Sequence, residues 1–176
     1  NFEEFFSSAS VNDVEFVLLT LFDYFDTLIS TARNFNATNK ILSKIDSLKE
    51  KTSHIKYIEF LRKYVENNSI IVPHTFCHGD LTFANIIFHK NRLFFIDFLD
   101  CYVDTFLSDL VKLKQDLHHL WSVQNQNVYS VRIHQIYQYI WDELECRYEP
   151  FMNESFHILD VLNTLRIEPY LTSDTQ

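Results

Sequence analysis

The chain has 176 residues, 47% of them hydrophobic, enough for one filled core or one large lobe of a bigger protein and too few for two independent domains. A formal net charge of −9 without any cluster of Lys or Arg sets it against a phosphate backbone and excludes nucleic acid as a natural partner. Apolar runs are broken by charges well short of the roughly 20 residues that cross a bilayer, and no signal-peptide pattern opens the chain, so a cytoplasmic protein with no membrane partner is expected.

From Val11 to Ser69 there is no Pro or Gly, and apolar residues recur at helical spacing. Phe16, Leu19, Phe22, Phe25 and Ile29 define a first helix, Ile41, Ile45 and Leu48 a second, and Ile55, Ile58, Leu61 and Val65 a third, with breaks at Asn36–Asn39 and Thr52–Ser53. The texture changes at Ser69-Ile70-Ile71-Val72-Pro73, a short β-branched run ended by a proline. Ile86-Ile87-Phe88 and Leu93-Phe94-Phe95-Ile96, joined through His89, Lys90, Asn91 and Arg92, suit a hairpin whose two faces are both buried. Helical periodicity returns after Asp104, the expected N-cap, with Phe106, Leu110, Leu113, Leu117 and Leu120 on one face. A long helix is expected over Tyr129–Tyr148 with an Ile133, Ile136, Tyr137, Ile140 and Trp141 stripe, and a last one over Glu154–Leu165; residues 172–176 form a loose tail. The fold class is mainly α with a small β-hairpin (α+β).

Cys77, Cys101 and Cys146 form neither an even set nor a Cys-x-x-Cys pair, so reduced, buried thiols are expected. His74, Cys77, His78 and His89 fit no zinc spacing. The 17 Phe and 9 Tyr are expected mostly as packing; this covers Phe98, Tyr102 and Trp121, which would otherwise line an acceptor pocket. His118 and His119 diverge around a helix and do not share a ligand.

The middle of the chain holds the chemistry. Asp80 and Asn85 lie five positions apart in "HGDLTFAN", and Asp97 ends the second expected strand. Folding the hairpin back brings Asp97 beside Asn85, giving oxygen donors of the kind Mg²⁺ prefers, while Asp80 stands apart, free to take a proton from an attacking hydroxyl. Singly, each of the three is an ordinary turn residue; the spaced set favours phosphoryl transfer.

His-Gly-Asp-x-x-x-x-Asn followed by a strand ending in Ile-Asp resembles the signature of the aminoglycoside phosphotransferase and choline kinase-like family, distant relatives of protein kinases. The resemblance implies a protein kinase-like C-terminal lobe over residues 1–171. In it Asp80 is the catalytic base, His78 braces the loop, and Asn85 and Asp97 hold Mg²⁺ and with it ATP or another nucleoside triphosphate. Asp109 is the family's buried aspartate accepting backbone N–H groups of the catalytic loop, and Asp100 matches an acidic position on the possible substrate side. Gly79 stands where protein kinases carry a phosphate-reading arginine, which suggests a constitutive enzyme. Thr82 stands where serine/threonine kinases have a lysine, which suggests a small-molecule acceptor.

Gly79 is the only glycine and no run of strands precedes the first helix, so the N-terminal lobe that covers ATP is expected to be absent from this chain. Together with an opening Asn1 and no initiator Met, this leads to the expectation of a fragment of a longer protein or a processed chain, poorly active or inactive alone, with a missing N-terminal lobe or upstream chain as its partner. The expected activity is transfer of the γ-phosphoryl group to a hydroxyl of a sugar, amino alcohol or aminoglycoside. The alternative is a non-catalytic binding or scaffold protein derived from such a lobe. Asp100, Asp104 and Asp116 would favour an amine-bearing acceptor, but capping and a solvated face explain them as well. An exposed cleft would permit self-association.

Overall fold

Ser10 and Asp13 form a capping box: the Ser10 hydroxyl accepts from the Asp13 N–H at 3.2 Å and the Asp13 carboxylate accepts from the Ser10 N–H at 2.7 Å. They start a 20-residue helix whose inner face carries Val14, Val17, Leu18, Leu21, Phe25 and Leu28. The computed structural model describes residues 2–89, 92–123 and 131–171. In chain order these form α1 (Phe2–Ser8), α2 (Val11–Ser30), β1 (Arg33–Asn36), α3 (Thr38–Leu48), α4 (Ile55–Asn67), β2 (Ile71–His74), β3 (Ile86–His89), β4 (Arg92–Phe95), α5 (Phe106–His119), α6 (Val131–Tyr148) and α7 (Glu154–Leu171). Short 3-10 turns lie at Phe83–Asn85, Trp121–Val123 and Glu149–Phe151. The fold is mainly helical with two small antiparallel pairs, as the sequence pattern predicts.

Two apolar clusters fill it. The larger joins α1, α2, α5, α6 and the segment between β2 and β3 through Phe6, Phe25, Phe83, Phe106 and Tyr137. The smaller joins α3, α4 and β2 through Ile41, Ile45, Ile58 and Val72. Helix α7 serves both, giving Phe156 and Leu159 to the first and Ile158, Leu162 and Leu165 to the second, which is why it shows no single apolar stripe.

Several boundaries differ from the sequence expectation. Helix α1 was not anticipated; its last carbonyls, including Phe6 and Ala9 just beyond, accept from the Arg132 guanidinium, a side chain 123 or more positions away. Strand β1 was also not anticipated, because Arg-Asn-Phe-Asn lacks an alternating apolar face, and it overlaps the expected break only at Asn36. It forms by pairing with β2, Arg33 opposite His74 and Asn36 opposite Ile71. The β3–β4 hairpin forms where expected, with His89 and Arg92 in the strands and Ile96 beyond them, but only one face is covered: Phe88 packs on Phe5 at 4.4 Å and Phe95 on Tyr24 at 4.9 Å, while Ile87 and Phe94 are exposed. Its link residues Lys90 and Asn91, the expected helix start at Tyr129 and the tail 172–176 lie outside the described residues. Helix α7 runs to Leu171, six residues past its expected end.

Phe25 is fully buried, with its ring 5.5 Å from that of Tyr148 and 6.3 Å from that of Phe106. Phe25→Ala should therefore cost about 3–5 kcal/mol of stability. The measurement is urea unfolding, where the midpoint falls at unchanged slope; a shift below about 1 kcal/mol would contradict this packing.

Candidate active site

Helix α5 begins at Phe106 because Thr105 caps it, accepting from the Leu107 N–H at 3.4 Å while donating its hydroxyl to the Pro73 carbonyl at 2.7 Å. The expected cap, Asp104, instead lies 3.4 Å from Lys40 and 4.0 Å from His74. Its neighbour can donate to β2 as well as cap, and that tertiary bond decides the boundary. Positions 109, 112 and 116 of α5 follow one another along a single helix face. All three are polar, all three are buried, and each grips a different part of the loop from His78 to Asn85.

Asp109 accepts from the backbone N–H of His78 at 2.7 Å, from that of Gly79 at 2.8 Å and from the Tyr24 hydroxyl at 2.7 Å. Burial pushes its carboxyl above the usual carboxylate range, opposed by these donors. The same burial, together with the Asp109 charge, pushes the Tyr24 phenol up. One turn on, the Lys112 ammonium lies 2.7 Å from Asp80 Oδ1. Burial pulls Lys112 below the usual lysine range; the Arg166 charge adds to this and the Asp80 carboxylate opposes it. Asp116 accepts from the Phe83 N–H at 2.6 Å and from both the N–H and hydroxyl of Ser122 at 2.7 Å. Fully buried, it is neither a cap nor part of a solvated face, and it does not face an acceptor.

His78 is fully buried, with Nδ1 accepting from the Asp80 N–H at 3.3 Å and its ring 4.3 Å from that of Phe98. The side chain braces the loop from within and does not line the open cavity. Its Nε2 has no partner among the described residues. Gly79 has φ +87°, and a Cβ there would stand 2.1 Å from the Leu99 carbonyl oxygen and 3.2 Å from Cys101 Sγ. The single glycine therefore has a local reason in this structure: the Leu99 segment crosses directly over it, its N–H donating to the His78 carbonyl at 2.9 Å.

Asp80 is held at both carboxylate oxygens. Oδ1 takes Lys112, and Oδ2 accepts from Asn85 Nδ2 at 3.1 Å, which also donates to the Asp80 carbonyl at 2.8 Å. The amide nitrogen of Asn85 is thus spent on Asp80, leaving its Oδ1 as the group free to face a cation. The β3–β4 ladder continues one step further, the Ile96 N–H donating to the Asn85 carbonyl at 3.0 Å. This pairs Asn85 with Ile96 and leaves Asp97 one residue beyond that pair. Asp97 is exposed and takes the left-handed conformation, φ 58°, which Asp tolerates better than most residues. Among the described residues no group of three or more His, Cys, Asp or Glu is arranged to hold a metal. One carboxylate and one amide oxygen still fit Mg²⁺, which is commonly held by one or two protein ligands and completed by substrate phosphates and water.

A cavity of about 250 Å³ opens beside Asp80, and neither Asn85 nor Asp97 lines it. Its walls are Gly79 and Asp80 of the loop, Asp100 and Tyr102 of the crossing segment, and residues of α3, α5 and α7. Asp80 keeps 31% of its side chain accessible there. Phe98 and Trp121 do not line this cavity, whereas Tyr102 does. The cysteines are free; Cys77 is buried, Cys101 partly so and Cys146 exposed, so the expectation of buried thiols holds for the first alone. Cys77 and Cys101 approach to 2.8 Å between sulfurs, and the contact together with burial pushes the Cys101 thiol up.

Sequence reasoning missed Lys112 and misread Asp116. Both belong to a polar stripe on a helix that reads as a solvent face. Their spacing from Asp109 by three and seven residues is the one signal that could have joined them to the loop.

Residues 19–147 match the phosphotransferase enzyme family. The match spans more than half the chain and runs from the middle of α2 through nearly all of α6, including every residue of the loop and both strands of the hairpin. The chain belongs to this family. No curated protein and no solved structure was found to match it.

Asp109→Ala should leave two backbone N–H groups and the Tyr24 hydroxyl without an acceptor and lower stability by about 3 kcal/mol or more. Gly79→Ala, which meets a carbonyl oxygen and a positive φ together, should cost about 1–3 kcal/mol. Thermal unfolding of both variants checks this, and wild-type midpoints would show that the loop is not held as described.

Proposed function

We propose that the chain is the catalytic-loop and substrate-binding lobe of an ATP-dependent kinase acting on a hydroxyl of a small molecule such as a sugar, amino alcohol or aminoglycoside. The observation that carries this reading is the Asp80 carboxylate, fixed at both oxygens by Lys112 and Asn85 and still open to a cavity. In this reading the acceptor hydroxyl enters the cavity and gives its proton to Asp80. Its oxygen forms the new bond to the γ-phosphorus as the bond from that phosphorus to the bridging oxygen of ADP breaks. Lys112 keeps Asp80 aimed and brings positive charge next to the reacting oxygen, a place where Thr82 supplies none. Asn85 Oδ1 and Asp97 would hold Mg²⁺, which when bound neutralises charge on the transferred phosphoryl group. His78, Gly79 and Asp109 hold the loop in shape. Among the described residues the two sheets have two strands each, and we propose that the nucleotide lid comes from residues outside this chain.

No helix among the described residues is long and apolar enough to cross a membrane; a cytoplasmic location is proposed on the sequence alone.

In the natural full-length protein, Asp80→Asn should lower kcat by about 100-fold to 10,000-fold with the fold intact. Asp97→Asn should raise the Mg²⁺ concentration needed for half-maximal rate. Steady-state phosphoryl transfer from γ-labelled ATP measures both, and a rate untouched by Asp80→Asn rejects the assignment in favour of a binding or scaffold protein.

A further inference from the structure

The cavity beside Asp80 runs against the charge of the whole chain. Three of its wall residues are cations, Lys44 of α3, Lys112 of α5 and Arg166 of α7, against two acids, Asp80 and Asp100. Lys112 is taken up by Asp80. Lys44 and Arg166 have no carboxylate partner among the described residues: the Lys44 ammonium sits 5.3 Å from the Tyr102 ring centroid, and Arg166 donates only to the Asn163 amide oxygen at 3.3 Å. In a protein of net charge −9, two cations without a carboxylate partner in one concavity are a local excess of positive charge. Burial and the Arg166 charge hold Lys44 below the usual lysine range, the direction expected where positive groups crowd together without an anion.

The acids that would have favoured a cationic acceptor are elsewhere. Asp116 is buried under Phe83 and Asp104 is paired with Lys40, so only Asp100 of that set faces the cavity. The volume of about 250 Å³ is below the roughly 300–1,000 Å³ usual for drug-sized ligands and suits a compact molecule.

From this charge arrangement we infer that the acceptor is a compact hydroxyl compound carrying an anionic group, a phosphate or a carboxylate, which Lys44 and Arg166 hold while its hydroxyl meets Asp80. The inference rests on the phosphotransferase reading for the role of Asp80, but the anion site can be tested without catalysis. A guanidinium binds either anion through paired N–H groups, and a nearby ammonium adds charge without demanding one geometry. Arg166 lies beyond the residues matched by the family, where acceptor choice can vary while the loop stays the same.

The test is calorimetric titration of the chain, at constant ionic strength, with glucose 6-phosphate, glucuronate, glucose and glucosamine. At least one of the two anionic sugars should bind at least about tenfold more tightly than glucose, with glucosamine weakest. Lys44→Gln/Arg166→Gln should remove that preference at an unchanged melting temperature, and Arg166→Lys should retain more of it than Arg166→Gln. Saturating Mg·ATP should leave the anionic sugar bound. Equal binding of all four sugars, tighter binding of glucosamine, insensitivity to the double substitution, or displacement by Mg·ATP, which would assign the cations to the nucleotide's own phosphates, each overturns the inference. Selective anion binding in a full-length protein whose phosphoryl transfer ignores Asp80→Asn supports the anion site and counts against the phosphotransferase reading. Asp80-dependent transfer to neutral sugars without anion preference does the reverse.

Discussion

One face of one helix holds the loop from His78 to Asn85 in place. Asp109, Lys112 and Asp116 project from successive turns of α5, and between them they take the backbone of His78, Gly79 and Phe83 and the carboxylate of Asp80. A loop between strands has few backbone partners of its own, and a buried loop without partners is costly. Here a rigid element supplies them at fixed intervals of helical rise. The price is three ionisable groups taken from water, tolerable because Asp109 and Asp116 each accept three bonds and Lys112 meets the Asp80 carboxylate: removing any one strands the loop groups it holds. The stability of the fold and the aim of Asp80 are therefore the same problem.

Around that helix the two apolar clusters divide the work. The larger packs α5 against α1, α2 and α6, and the β3–β4 hairpin leans on its rim through Phe5 and Tyr24. The smaller sets α3, α4 and the first strand pair on the other flank. Helix α7, apolar on both sides, ties the clusters together, and the cavity lies where α3, α5 and α7 meet the loop. In the proposed reading the cation would meet the hairpin side of Asp80 and the acceptor the helical side, so the two could vary separately.

What was legible in the sequence follows from how local each signal is. The inner stripe of α5 and the apolar runs of β3 and β4 show in their periodicity, and the spacing of His78, Gly79, Asp80 and Asn85 is carried by a single contiguous loop. Strand β1 was illegible because its four residues offer no apolar alternation and exist as a strand only against β2. The start of α5 was misplaced by one residue since Asp104 and Thr105 are both good caps, and only the bond from Thr105 to Pro73 chooses. Lys112 and Asp116 were unreadable for a deeper reason: a polar residue on a helix predicts water on that side until something polar is known to lie against it. The role of Gly79 was similarly incomplete, since the backbone passing over it comes from 20 residues further along the chain.

The left-handed backbone of Asp97 bears on how that position can be probed. A side chain there must tolerate a conformation worth roughly 1–2 kcal/mol against most residues. Replacement by alanine or valine would remove a carboxylate and also pull the end of β4 toward another dihedral region, so a fall in activity would mix two causes. Asparagine tolerates the same dihedral angles and glycine relaxes them altogether, so comparing the two separates chemistry from geometry at the residue where the hairpin hands over to the crossing segment.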